Sequence, residues 1–135
     1  MGALGRYVGW AEMGEGGCMP RYMFQFTYTR KAWVALVKEP VDRRVAVEAL
    51  LEKLGGRLIE FSYALGEYDG LAIIDVPNET VMTAAILAVV GPGHIKATKT
   101  TALVPVEQAV EAMRMAGGLA CQAPQGAAPP DSDEI

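Results

Sequence analysis

Gly66-Glu67-Tyr68-Asp69-Gly70 separates two strand-like runs, Arg57-Leu58-Ile59-Glu60-Phe61-Ser62-Tyr63-Ala64-Leu65 and Leu71-Ala72-Ile73-Ile74-Asp75-Val76. The five residues read as the turn of a β-hairpin, with Asp69-Gly70 as the tight-turn signal. Gly66 and Gly70 are expected to supply the positive φ such a turn uses. The hairpin also sets a phenol and two carboxylates at the rim of a sheet, where loop-borne chemistry tends to sit.

Upstream, Arg21 to Thr29 alternates: Tyr22, Phe24, Phe26 and Tyr28 share one face, and Met23, Gln25 and Thr27 the other. That is a strand with one strongly apolar side. Thr29 is placed to cap a short helix through Trp33, Leu36 and Val37 that breaks at Pro40. Asp42 restarts the helix, with Val47, Leu50, Leu51 and Leu54 on one stripe and Arg44, Glu48 and Glu52 opposite. Gly55-Gly56 ends it.

Downstream, Pro77-Asn78 stops the second hairpin strand, and Asn78 caps a helix from Glu79 to about Val90. Val81, Met82, Ile86, Leu87 and Val89 make that helix apolar nearly all round, which predicts burial on more than one side. Gly91-Pro92-Gly93 turns the chain into a last strand from His94 to Val104. Pro105 opens a final amphipathic helix to Met115, closed by Gly117-Gly118. The order β-α-β-β-α-β-α, two βαβ units joined through a central hairpin, gives an α+β, ferredoxin-like fold. Its sheet is four-stranded and antiparallel, with helices on one face and a C-terminal helix added. The other face offers apolar residues and threonine to water, and a second copy of the same sheet is its simplest cover.

The 135 residues suit one domain with a real core. Residues 1–18 read as a flexible N-terminal extension, 19–118 as the folded domain, and 119–135 as a disordered C-terminal tail. Net charge is −4, but from Met19 to Cys121 acidic and basic side chains balance. A neutral folded unit argues against nucleic acid and anionic membranes as partners, since both select a basic patch. No run reaches the roughly 20 apolar residues that span a bilayer. Cys18 and Cys121 lie more than a hundred positions apart with no CxxC, so a reduced, cytoplasmic protein is the simpler reading.

From Met19 to about Gly117 the chain resembles the GYD-domain proteins, small prokaryotic members of the dimeric α/β-barrel class. The resemblance is carried by Tyr22-Met23-Phe24-Gln25-Phe26-Thr27-Tyr28-Thr29, Leu54-Gly55-Gly56, Leu65-Gly66-Glu67-Tyr68-Asp69, Asp75-Val76-Pro77 and Lys96-Ala97-Thr98-Lys99-Thr100. Glu67 stands between the glycine and the tyrosine of the hairpin motif. The resemblance implies a ferredoxin-like protomer pairing sheet to sheet as a homodimer or higher oligomer. Related dimeric barrels include cofactor-free monooxygenases, muconolactone isomerases, haem enzymes and amino-acid-sensing regulators, so the fold by itself names no reaction.

Three groups of residues are candidates for chemistry. Tyr68 and Asp69 read either as turn chemistry or as a donor and a base at a pocket mouth. His94, the only histidine, reads either as a loop residue or as a general base. Tyr22, Phe24, Phe26 and Trp33, with Tyr28, read either as core or as the lining of an apolar ligand pocket between sheet and helices. Lys96 and Lys99 differ in parity and face opposite sides of the last strand, so one can pair with the hairpin carboxylates. No P-loop, dinucleotide fingerprint, nucleophile elbow or HExxH pattern occurs, and neither cofactor nor metal is expected. The sequence thus frames two functions. One is a small oligomeric protein that binds an apolar ligand, with or without cofactor-independent catalysis at Tyr68, Asp69 and His94. The other is a non-catalytic sensing or assembly module acting through its sheet-to-sheet interface.

Overall fold

The structure is a computed structural model that describes residues 19–126. The N-terminal stretch 1–18 and the end of the C-terminal tail lie outside the described residues. The chain divides into two compact units, one ending at Leu103 and one beginning at Val104.

The first unit runs β1 (Arg21–Tyr28), α1 (Arg30–Lys38), α2 (Arg44–Lys53), β2 (Arg57–Tyr63), β3 (Gly70–Asp75), α3 (Glu79–Val90) and β4 (Ile95–Leu103). The strands form one antiparallel sheet in the order β2-β3-β1-β4. This is the ferredoxin-like arrangement, with the first strand made at the centre. β1 alternates strictly between half-buried and buried, and Tyr22, Phe24, Phe26 and Tyr28 form the spine of the core. Opposite them, β3 contributes Ala72 and Ile74, and the helices contribute Ala32, Leu51, Val81, Met82 and Ala85.

Local signals place the helices. Thr29 Oγ1 accepts from the Ala32 N–H at 3.1 Å and Asn78 Oδ1 from the Val81 N–H at 2.9 Å, each satisfying a donor that the helix leaves unpaired. At the end of α2, Gly55 adopts φ 79 and the Gly56 N–H reaches back to the Leu51 carbonyl at 2.8 Å, a Schellman stop. Gly56 has a second role. A Cβ there would lie 2.5 Å from the Asp75 carbonyl oxygen, so only glycine lets the chain enter β2 so close to the end of β3.

The hairpin differs from its sequence reading. Tyr63 pairs with Gly70, and the Ala64 N–H donates to the Asp69 carbonyl at 2.8 Å. Gly70 therefore already belongs to the ladder and the Asp69 carbonyl closes it, so the tip is Leu65–Tyr68, with Leu65 fully exposed. Neither Gly66 nor Gly70 has positive φ. Gly70 is required because the Phe26 ring lies over it: a Cβ would meet that ring at 2.5 Å.

Helix α3 is the other departure. Within the chain it buries only Val81, Met82 and Ala85, and Leu87 on its outer side is 65% exposed. Composition makes every face of α3 apolar, but a helix lying on one layer can bury only the stripe that meets the sheet.

The second unit contains α4 (Val106–Gly117), entered at Pro105 and carrying an Arg114–Glu111 ion pair one turn apart.

Candidate functional site

Between the sheet and helices α2 and α3 lies a cavity of about 240 Å³. Its floor is Phe24, Phe26, Phe61, Ala72 and Ile74 from the sheet; Val47, Leu50 and Leu51 come from α2, and Met82, Ala85, Ile86 and Val89 from α3. The space follows from small side chains: Ala72 on the floor, Ala85 and Ala88 on α3 and Ala46 on α2 leave room that larger residues would fill. The floor is buried apart from half-buried Phe61, whereas Arg43, Ala46, Ala88, Pro92 and His94 at the edge are exposed. The cavity is therefore an open cleft, apolar inside.

Its polar groups gather where β1 ends. The Tyr28 hydroxyl lies 3.4 Å from the Tyr63 hydroxyl, with the Arg43 guanidinium beside it. Burial pushes the Tyr28 phenol far above its ordinary value; the contact with Tyr63 adds to this, and the Arg43 charge opposes it. His94 comes from the turn after α3, and its carbonyl accepts the Thr29 N–H at 2.9 Å, anchoring the turn to the end of β1.

Of the residues singled out in the sequence, the structure brings Phe24, Phe26 and His94 to this cleft and places Tyr22, Trp33, Tyr68 and Asp69 outside its lining. Tyr22 is buried at the far end of β1 and belongs to the core. Trp33 stands edge-on to Tyr28, with centroids 5.2 Å apart and planes at 88°. Asp69 is a brace: one oxygen, Oδ2, accepts from the Tyr28 backbone N–H at 2.9 Å and from the Trp33 indole N–H at 3.0 Å. Its backbone N–H meanwhile donates to the Phe26 carbonyl at 2.8 Å. The hairpin end is thereby tied to the β1–α1 junction. Tyr68 is half-buried beside it. Sequence reasoning passed over Arg43. The available signal is that its helix neighbours one turn on are Ala46 and Val47, with no acid to pair it.

A second polar cluster lies on the opposite face of the sheet. Asp75, 1% exposed, accepts from Arg21 through two bonds of 2.7 and 3.0 Å and from Arg57 at 3.2 Å. The register demands it, because Arg21 and Arg57 are the two cross-strand partners of Asp75. Neither Lys96 nor Lys99 belongs to the ion pairs of the described residues, which join Arg21, Arg44, Arg57 and Arg114 to acids. Among the described residues no three His, Cys, Asp or Glu side chains group to hold a metal ion, and no helix is long and apolar enough to cross a membrane. Cys121 carries a free, exposed thiol; Cys18 lies outside the described residues.

The chain is similar to the crystal structure of MtbAldR at 10% identity and a TM-score of 0.48, over 82% of this chain and 59% of that one, so it spans less than two thirds of that protein's length. No curated protein matches the chain. The model of the GYD domain family matches residues 22–113, from the second residue of β1 into α4. With that match covering most of its length, the chain belongs to the GYD domain family.

Proposed function

We propose that this protein binds a small apolar molecule in the cleft between its sheet and helices α2 and α3. The observation that carries the reading is the cavity of about 240 Å³ with a buried hydrocarbon floor. Well-packed interiors contain few voids larger than a water molecule, and an apolar cavity of about 150 Å³ is enough to take benzene. The space therefore suits one ring with a short substituent. Tyr68 and Asp69 have no part in this reading, because Asp69 is occupied as a brace; His94 and Arg43 are the groups a ligand meets at the rim.

Native mass spectrometry of freshly purified protein tests it. A low-mass adduct that is lost in Ala88→Leu, where a larger side chain grows into the rim, supports the reading. It is overturned if no adduct appears and small aromatic molecules at millimolar concentration leave the NMR signals of Phe24, Ala72 and Ala85 unmoved.

A second reading concerns the open face. Met23, Leu71 and Ile73 lie together at its centre, within a frame of Arg57, Glu60 and Lys99. We infer that a second copy covers this face, sheet to sheet, through an interface on the order of 2,000 Å². The pattern supports it: apolar centre, charged rim. Sedimentation at micromolar concentration that returned a single 14.4 kDa species would rule it out.

A further inference from the structure

We propose that the ligand of the cleft is an anion with an apolar body, a small carboxylate whose ring fills the cavity and whose charged end meets Arg43. This rests on the reading of the cleft as a binding site and names the class of molecule it selects.

Arg43 carries the argument. It sits at the start of α2 on the lip of an apolar cleft. Two acids that could compete for it are committed elsewhere. Asp42 holds Arg44 through its guanidinium at 2.9 Å and its backbone N–H at 2.9 Å. Asp69 is taken by Tyr28 and Trp33. The ion pairs of the described residues leave Arg43 without a carboxylate. A guanidinium offers a planar fork that fits a carboxylate through two bonds, and it lies where a ligand's polar end would emerge from the hydrocarbon floor. Beside it the Tyr28 hydroxyl stays protonated through the physiological range and so remains a donor. His94 on the same rim adds ring nitrogens. A cationic ligand meets repulsion from Arg43, and a neutral one gains less from it than an anion does. The volume limits the body to about one six-membered ring with two or three further atoms, set against benzene in about 150 Å³.

The test titrates the full chain with phenylacetate and 3-phenylpropionate and with the corresponding alcohols, by calorimetry and ligand-observed NMR, in wild type and Arg43→Gln. The carboxylates should bind about tenfold or more tightly than the alcohols, the preference a charge-assisted bond confers. Arg43→Gln should erase that preference, leave alcohol affinity in place, and keep the melting temperature, since Arg43 is exposed. Raising the salt concentration should weaken the carboxylates only. If alcohol and acid bind alike, or the preference survives in Arg43→Gln, the anion proposal falls while the cleft reading stands. If neither class binds at millimolar concentration, both fall.

Discussion

Asp69 accepts two donors on one oxygen, from the Tyr28 backbone and the Trp33 indole. Truncation strands both at a part-buried junction. Asp69→Ala should lower stability by about 2–4 kcal/mol, read by urea unfolding, while Asn, which keeps a carbonyl acceptor, should lose about half as much. A general-base role would give the opposite ranking, with stability intact and function lost. Gly70→Ala must displace the Phe26 ring, and about 1–3 kcal/mol is expected for such overpacking. Tyr28 supplies a pH dependence. Its folded-state pKa is raised above the ordinary value of 10, so the unfolded chain loses the phenolic proton first. The stabilisation is complete below pH 10 and declines as the pH climbs beyond it. Tyr28→Phe should flatten that alkaline limb in a series of denaturation curves. These roles were half legible in the sequence. Asp69 and Gly70 stand out as turn residues, yet their actual partners, Tyr28, Trp33 and Phe26, lie across the sheet, where a local signal does not reach.

At the scale of elements, β1 and the helix caps were the most readable parts. Alternation and capping depend on neighbours in the chain, so Thr29 and Asn78 could be placed without tertiary information. Asn78→Ala should cost about 1 kcal/mol, a loss confined to α3 and visible as faster amide exchange in its first turn. The face of α3 that meets the sheet was not legible, because every face of α3 is apolar and periodicity cannot choose among them. An apolar pocket between sheet and helices was expected on Phe24 and Phe26, but its helix side was hidden for a related reason. It exists because Ala46, Ala72, Ala85 and Ala88 face the same space, and no one of them announces a void. Arg43 was unmarked because a charge at a helix start ordinarily reads as a solvated residue. Ala85→Leu, deeper than the rim variant, should fill the cavity, abolish ligand uptake and change stability by less than about 3 kcal/mol.

For the molecule as a whole, the four-stranded antiparallel sheet and the apolar centre of its second face followed from the element sequence, because two βαβ units joined by a hairpin have few ways to close. The partner of that face is a matter of association. On the proposed sheet-to-sheet pairing, Ile73→Lys sets a charge at its apolar centre, away from the core, and should halve the mass seen in sedimentation while the monomer stays folded. The central place of β1 has a further consequence, for synthesis. Its partners begin at Gly70 and Ile95, so at about 5–20 residues per second a ribosome makes Tyr22-Met23-Phe24-Gln25-Phe26 seconds before either neighbour exists. The nascent chain must hold this core strand without a mate until β3 emerges, and cannot seal both flanks until β4 clears the exit tunnel. Chains stalled before Ile95 should accordingly be the species that chaperones capture, and release should follow the appearance of β4.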